Sequence, residues 1–194
     1  MILEGKRVIL QDDRDSDPED YFRWFNLEEW QYYDRPDQSF QPISREQFDE
    51  RARKNKERFE EQAKDKSKPK PGFHIDAVDG QHLGWVSIYN WDQEGKFTFI
   101  GINIPEEENW GKGYGTEAVG LFLNYLFESF DLNTIRTATW TGNKRMVRCA
   151  EKVGFANEKI TPHRSSISVR GEPLERIEFS LSRAEWAKSN MGGG

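Results

Sequence analysis

The order of elements along the chain predicts an α+β fold, a mixed and mostly antiparallel twisted sheet of about seven strands with helices on both faces. Three observations carry that prediction. Apolar periodicity reads strand, helix, helix, then three strands, then helix, strand, helix, strand, strand. Asp79-Gly80 lies between two alternating apolar runs, a strong short-range hairpin signal. The later strands alternate with helices, which requires crossover connections and at least one parallel pair.

Arg7 to Gln11 is a short apolar strand, and Ser16-Asp17-Pro18-Glu19 then offers a capping residue with proline in the first turn of a helix through Tyr21, Phe22 and Phe25. Ser44 and Gln47 form a capping box that opens a second helix, expected to run to Lys64. Lys66 to Gly72 is a connector. Phe73 to Val78, Leu83 to Tyr89 and Phe97 to Ile104 have strand length and are separated by turn residues, which predicts an antiparallel meander. Glu117 to Phe130 reads as helix, Thr134 to Thr139 as strand and Asn143 to Val153 as helix. Phe155 to Ile160 and Arg176 to Leu181 complete the sheet. Residues 1–190 are read as a single domain and 191–194 as a flexible tail.

The length of 194 residues suits one core, and 26 aromatics (7 Trp, 6 Tyr, 13 Phe) concentrate burial in a chain that is 32% charged. No run approaches the ~18 apolar residues of a membrane helix, and the N-terminus lacks a signal peptide's apolar region, so a cytoplasmic protein with no membrane partner is expected. Cys149 is the single cysteine, and His74, His82 and His163 stand at no zinc-like spacing. An organic cofactor and no metal are therefore expected. The net charge of -6 runs against nucleic acid as a partner. Charge is uneven: residues 1–50 carry 14 acidic and 6 basic side chains, residues 51–70 carry 4 and 9. The basic stretch is read as a solvated helix face running into the connector.

The most informative segment is Trp110-Gly-Lys-Gly-Tyr-Gly-Thr-Glu-Ala118, between a strand and an apolar helix. Alternate glycines allow a tight turn that exposes successive N–H groups, and the helix start adds partial positive charge, so the segment is an anion cradle suited to phosphate. A Walker loop is excluded because Gly113 follows Lys112. Gly113-Tyr-Gly115-Thr-Glu-Ala118 matches G-x-G-x-x-A. However, Pro105 to Asn109 separates it from its strand, and no acidic residue ends the next strand to hold a ribose.

Phe99 to Pro105, the loop 110–118, and Asn143 followed by Glu151-Lys-Val-Gly-Phe155 together resemble the GCN5-related N-acetyltransferase (GNAT) superfamily, in particular its ribosomal-protein N-terminal acetyltransferase branch. The resemblance implies acetyl-CoA as co-substrate. It implies that Trp110, Gly111, Lys112, Gly113, Tyr114, Gly115 and Thr116 hold the pyrophosphate, that Ile102 and Ile104 pair with the pantetheine arm, and that Asn143 bonds the pantetheine or fixes the acetyl end. It also implies a backbone oxyanion donor where the strand at Ile102 to Ile104 splays.

Two departures bear on mechanism. The tyrosine that protonates the thiolate in many relatives is Ala150 here, and a common serine is Met146. Water suffices for a leaving thiolate whose acid has a pKa near ~8.5. The usual glutamate base is replaced by Phe99. Neutralising a lysine amine at pH 7 costs more than about 4 kcal/mol, an α-amine about 1, so a low-pKa amine is the easier acceptor. Trp24, Trp30, Tyr32 and Tyr33, interspersed with Glu28, Glu29 and Asp34, suit a cationic amine. The expectation is an N-acetyltransferase acting on a peptide N-terminus or a small-molecule amine, as monomer or homodimer; the alternative is a non-catalytic CoA-binding or regulatory domain.

Overall fold

The computed structural model describes residues 1–12, 17–65 and 67–191. Its strands are β1 (Ile2–Glu4), β2 (Val8–Gln11), β3 (Gly72–Ala77), β4 (His82–Asp92), β5 (Phe97–Asn103), β6 (Thr134–Trp140), β7 (Ala156–Ile167) and β8 (Pro173–Ser182). The α-helices are α1 (Asp17–Trp24), α2 (Glu28–Asp34), α3 (Arg45–Ala63), α4 (Tyr114–Ser129), α5 (Lys144–Lys152) and α6 (Arg183–Met191). The sheet has eight strands in the order β1-β2-β3-β4-β5-β6-β8-β7, all neighbours antiparallel except β5 and β6.

The meander forms as expected, and Gly80 takes the left-handed φ of +92° that the Asp-Gly turn requires. The second capping box is present: Gln47 N–H donates to Ser44 Oγ at 3.2 Å, and Ser44 N–H to Gln47 Oε1 at 3.0 Å. Ser16, read as the first helix cap, Lys66 of the connector and the tail glycines 192–194 lie outside the described residues.

Three elements exceed the sequence reading. β1 is a three-residue edge strand, too short to show a period. α2 occupies a stretch to which the sequence reading assigns no element; its Leu27 cap makes no side-chain bond, and buried Trp30 and Tyr32 hold it. α6 begins at a second Ser-x-x-Glu box, with Glu185 N–H donating to Ser182 Oγ at 3.2 Å and Ser182 N–H to Glu185 Oε2 at 2.8 Å.

One face of the sheet packs Val8, Leu10, Phe73, Ile75 and Val86 against Val119, Phe122, Leu123 and Leu126 of α4. Each such side chain contributes about 1.5–3 kcal/mol on burial. The other face carries α1 and α2 on an aromatic layer in which Trp85 lies 5.9 Å from Trp24 and 5.6 Å from Trp30. α3 is polar all round: of its described side chains only Phe48 is buried, and pairs such as Arg45–Asp49 and Arg53–Glu57 line its surface. No helix among the described residues is long and apolar enough to cross a membrane.

The parallel pair positions the site. β5 and β6 are in register only over Phe97–Phe99 against Thr134–Arg136, and beyond Phe99 they part. Tyr89 packs beside Gly101, and its hydroxyl meets the Ala138 backbone, so the phenol lies within the split.

Candidate active site

The split opens into a cleft of about 750 Å³. One end is closed by the 110–116 loop and α5, the other by α2 and β6. The loop reaches α4 through Gly111 at φ +76° and Gly113 at φ +90°, conformations that favour glycine at each position. Gly113 is the cap residue of α4 and supplies no side-chain acceptor, so the amides of its first turn are left for a ligand. α5 differs. Asn143 Oδ1 accepts from Met146 N–H at 3.2 Å and caps that helix itself, which leaves the Asn143 amide NH₂ as its donor at the cleft.

The wall between these helices is β5. The Ile100 carbonyl accepts from Thr137 Oγ1 at 3.0 Å and the Ile104 carbonyl from the Trp110 indole at 2.6 Å. Backbone direction alternates along a strand, so Ile102 between them turns its N–H and C=O to the same side, into the split. The side chains of Ile102 and Ile104 support Gly115: a Cβ there would stand 3.6 Å from each terminal methyl. Within the loop Lys112 is exposed and does not line the cleft, Tyr114 is half-buried at the cleft, and the Thr116 hydroxyl is 3.9 Å from Cys149 Sγ. Burial pushes the Cys149 thiol up, away from a reactive thiolate.

Of the four aromatic residues expected at the acceptor end, Trp30 and Tyr33 line the cleft, while Trp24 and Tyr32 do not. Trp24 is fully buried and donates its indole N–H to Glu106 Oε1 at 3.1 Å. Tyr32 is clamped by Ser168 and Glu172, with Arg170 stacked 3.9 Å above its ring. Tyr33 instead meets Trp110 edge to face at 5.8 Å, and the Arg145 guanidinium sits 4.2 Å from the Tyr33 ring and 3.7 Å from the Trp110 ring, joining α5, the loop and α2.

Asp34, named in sequence only as one of several acids, stands at this end. Its side chain is 44% exposed at the rim of the cleft, and the partial desolvation there pushes its carboxyl above the ordinary value, with Arg35 pulling it back from 3.4 Å. Tyr89, His163 and Arg176 complete this end, and Arg176 is paired with Glu178 at 2.5 Å. Burial also raises the Tyr89 phenol, which therefore keeps its proton. At the other end α5 contributes Arg145, Arg148 and Lys152, and Arg7 of the β1–β2 turn approaches to 3.7 Å from where a Gly113 Cβ would be. None of these cations belongs to the loop motif. Arg148 and Lys152 show the (i, i+4) spacing of one helix face, a signal present in sequence.

At the two departures on α5, Ala150 is buried and Met146 lines the cleft. The fold also brings His74, His82 and Asp17 together under α1, although Asp17 is far from both in sequence.

A cleft where a parallel pair splits, with an uncapped helix start at its mouth, is a site for an extended anionic ligand laid along β5. The family model described as "Acetyltransferase (GNAT) domain" matches residues 7–156, and the chain belongs to that family. It is 32% identical over 108 residues to YdaF of Bacillus subtilis (strain 168), a protein bearing the name ribosomal N-acetyltransferase; the match covers 56% of this chain and 57% of YdaF, so the chain spans little more than half of that relative. Among solved structures it superposes on the ribosomal-protein-S5-alanine acetyltransferase of Vibrio fischeri with a TM-score of 0.70 at 19% identity, covering 96% of this chain and 98% of the other. Spermidine N-acetyltransferase of Vibrio cholerae, in complex with CoA and spermine, gives 0.72 at 17% identity, covering 94% and 99%. These likenesses establish the fold.

Proposed function

We propose that the chain, as a single domain over residues 1–190, transfers the acetyl group of acetyl-CoA to a primary amine, either a peptide α-amine or a small-molecule amine. One observation carries the reading. The first-turn amides of α4 are left uncapped by Gly113, at the mouth of a cleft whose wall presents the Ile102 backbone. Loop residues 110–116 receive the diphosphate, Ile102 and Ile104 guide the pantetheine arm, and the Asn143 NH₂ holds the end nearest the thioester. The Ile102 N–H serves as oxyanion donor.

Trp30, Tyr33 and Tyr89 enclose the amine, and Asp34 takes its proton. A raised carboxyl is better matched to that task at neutral pH than an ordinary aspartate. Asp34→Asn is expected to lower kcat about 100-fold and to flatten the acidic limb of the pH–rate profile. The sign of its stability effect is opposite. Because the folded state holds the Asp34 proton more tightly, the stability it contributes at low pH is lost as pH rises through the raised pKa. With the side chain 44% exposed, solvent screens most of that effect, so the asparagine variant should melt no lower than the parent at pH 7, and a variant that loses activity by unfolding would melt lower.

Ala150, buried at the tyrosine position, favours a second reading as a CoA-binding domain without turnover. Incubation with acetyl-CoA and a panel of peptide, polyamine and aminoglycoside amines, with release of free thiol followed, separates the two. Tight CoA binding with no release above hydrolysis would establish the second reading. Stabilisation by NAD but not by CoA would end both.

Asn143→Ala should remove the α5 cap and cost about 1 kcal/mol of stability. Asn143→Asp keeps an acceptor for Met146 N–H but loses the NH₂ donor and adds a negative charge at the cleft. The prediction is that both variants weaken CoA binding while only the alanine lowers Tm, as isothermal titration and calorimetry would record.

A further inference from the structure

Phe73, Ile75 and Ala77 of β3 face the α4 core, so His74 faces the opposite side, beneath α1. There its Nδ1 lies 3.1 Å from His82 Nε2 and 2.8 Å from Asp17 Oδ2. One ligand atom from each of the three residues falls within 4.8 Å of the others. Their side chains are 5%, 4% and 2% exposed for His74, His82 and Asp17. The second nitrogen of each imidazole is already engaged: His82 Nδ1 is 2.9 Å from Asp20 Oδ2, and His74 Nε2 is 3.3 Å from the Tyr21 hydroxyl. Metal-ligating histidines are oriented in this way, the outer nitrogen bonded to a carboxylate or another oxygen.

We infer that Asp17, His74 and His82 form a buried site for a divalent first-row transition ion, with Asp20 and Tyr21 orienting the two imidazoles. Two imidazole nitrogens and one carboxylate oxygen suit zinc and its neighbours; calcium and magnesium require all-oxygen sets. The ion would fasten α1 to β3 and β4. α1 leads directly into α2, which carries Trp30, Tyr33 and Asp34, so the ion would set the acceptor side of the cleft from behind. Without an ion the same atoms make a hydrogen-bonded chain from Tyr21 through both histidines to Asp20, and the experiment distinguishes the two.

The full chain is stripped with a chelator and titrated separately with zinc and with cobalt(II). Expected are one bound ion per chain by elemental analysis, a cobalt ligand-field spectrum of a low-symmetry nitrogen–oxygen site, and a Tm rise of roughly 5–10 °C when metal is about 100 times its Kd. His74→Gln combined with His82→Gln should abolish all three. Asp20→Asn leaves the three ligands in place and should weaken affinity about 10–100-fold. A stripped chain that binds neither ion, a double variant that binds like the parent, or an Asp20→Asn chain of unchanged affinity would each overturn the site and leave the hydrogen-bonded chain.

Discussion

Gly113→Asp should weaken coenzyme A binding at least 100-fold while Gly113→Asn weakens it less than 10-fold. Both residues tolerate the left-handed region better than other side chains, so their shared backbone cost at φ +90° is about 1 kcal/mol or less. Space is not limiting, since the nearest atom to an added Cβ is Arg7 Nη1 at 3.7 Å. What separates the variants is charge: a carboxylate about 4 Å from a diphosphate opposes it by about 1 kcal/mol in water and about 4 at the effective dielectric of a protein surface. Arg7 could partly neutralise the new aspartate, but its side chain is 62% exposed, and exposed pairs are worth only about 0.2–1 kcal/mol. Repulsion therefore wins. Titration calorimetry checks the ratio, and equal losses for the two variants would show that the loop does not hold an anion.

Phe122→Ala is expected to destabilise the chain by about 3–5 kcal/mol, enough to move Tm by roughly 6–20 °C. The ring is fully buried on the central helix α4, edge-on to Phe73 at 5.9 Å and stacked on Tyr125 at 6.2 Å. Truncation removes both contacts and leaves a cavity in a face built from rigid strands, where neighbours cannot collapse to fill it. Phe122→Leu keeps much of the volume and should cost less than half as much. Chemical denaturation of the pair reports the difference. A loss below about 1 kcal/mol for the alanine would mean that α4 is not packed on β2 and β3 as described.

The glycine loop could be read because its chemistry is local. Gly111 and Gly113 are required by backbone angles that side chains avoid, and the helix start follows within a few residues. The hairpins and the second capping box are legible for the same reason. α6 went unread although its Ser182 and Glu185 carry the same local signal. α2 was not legible, because what holds it is Tyr32 against Ser168 and Glu172 and Trp30 against Trp85, partners far away in the chain.

The acceptor end shows the limit best. Four aromatic residues in one short stretch look alike in sequence, yet the fold buries Trp24, uses Tyr32 as a clamp, and turns only Trp30 and Tyr33 to the cleft. Asp34 is indistinguishable from Glu28 and Glu29 until the fold sets it, and neither of them, at the cleft.

By itself the sequence determined the fold class, the family and the tight glycine turn that opens α4, properties of short-range backbone geometry, hydrophobic period and local motif. Only the tertiary structure decided where β5 leaves β6, which carboxylate of the α2 stretch lines the cleft, and that Asp17 reaches His74 and His82. Those depend on distances between segments, and such distances are set by packing across the sheet rather than by spacing along the chain.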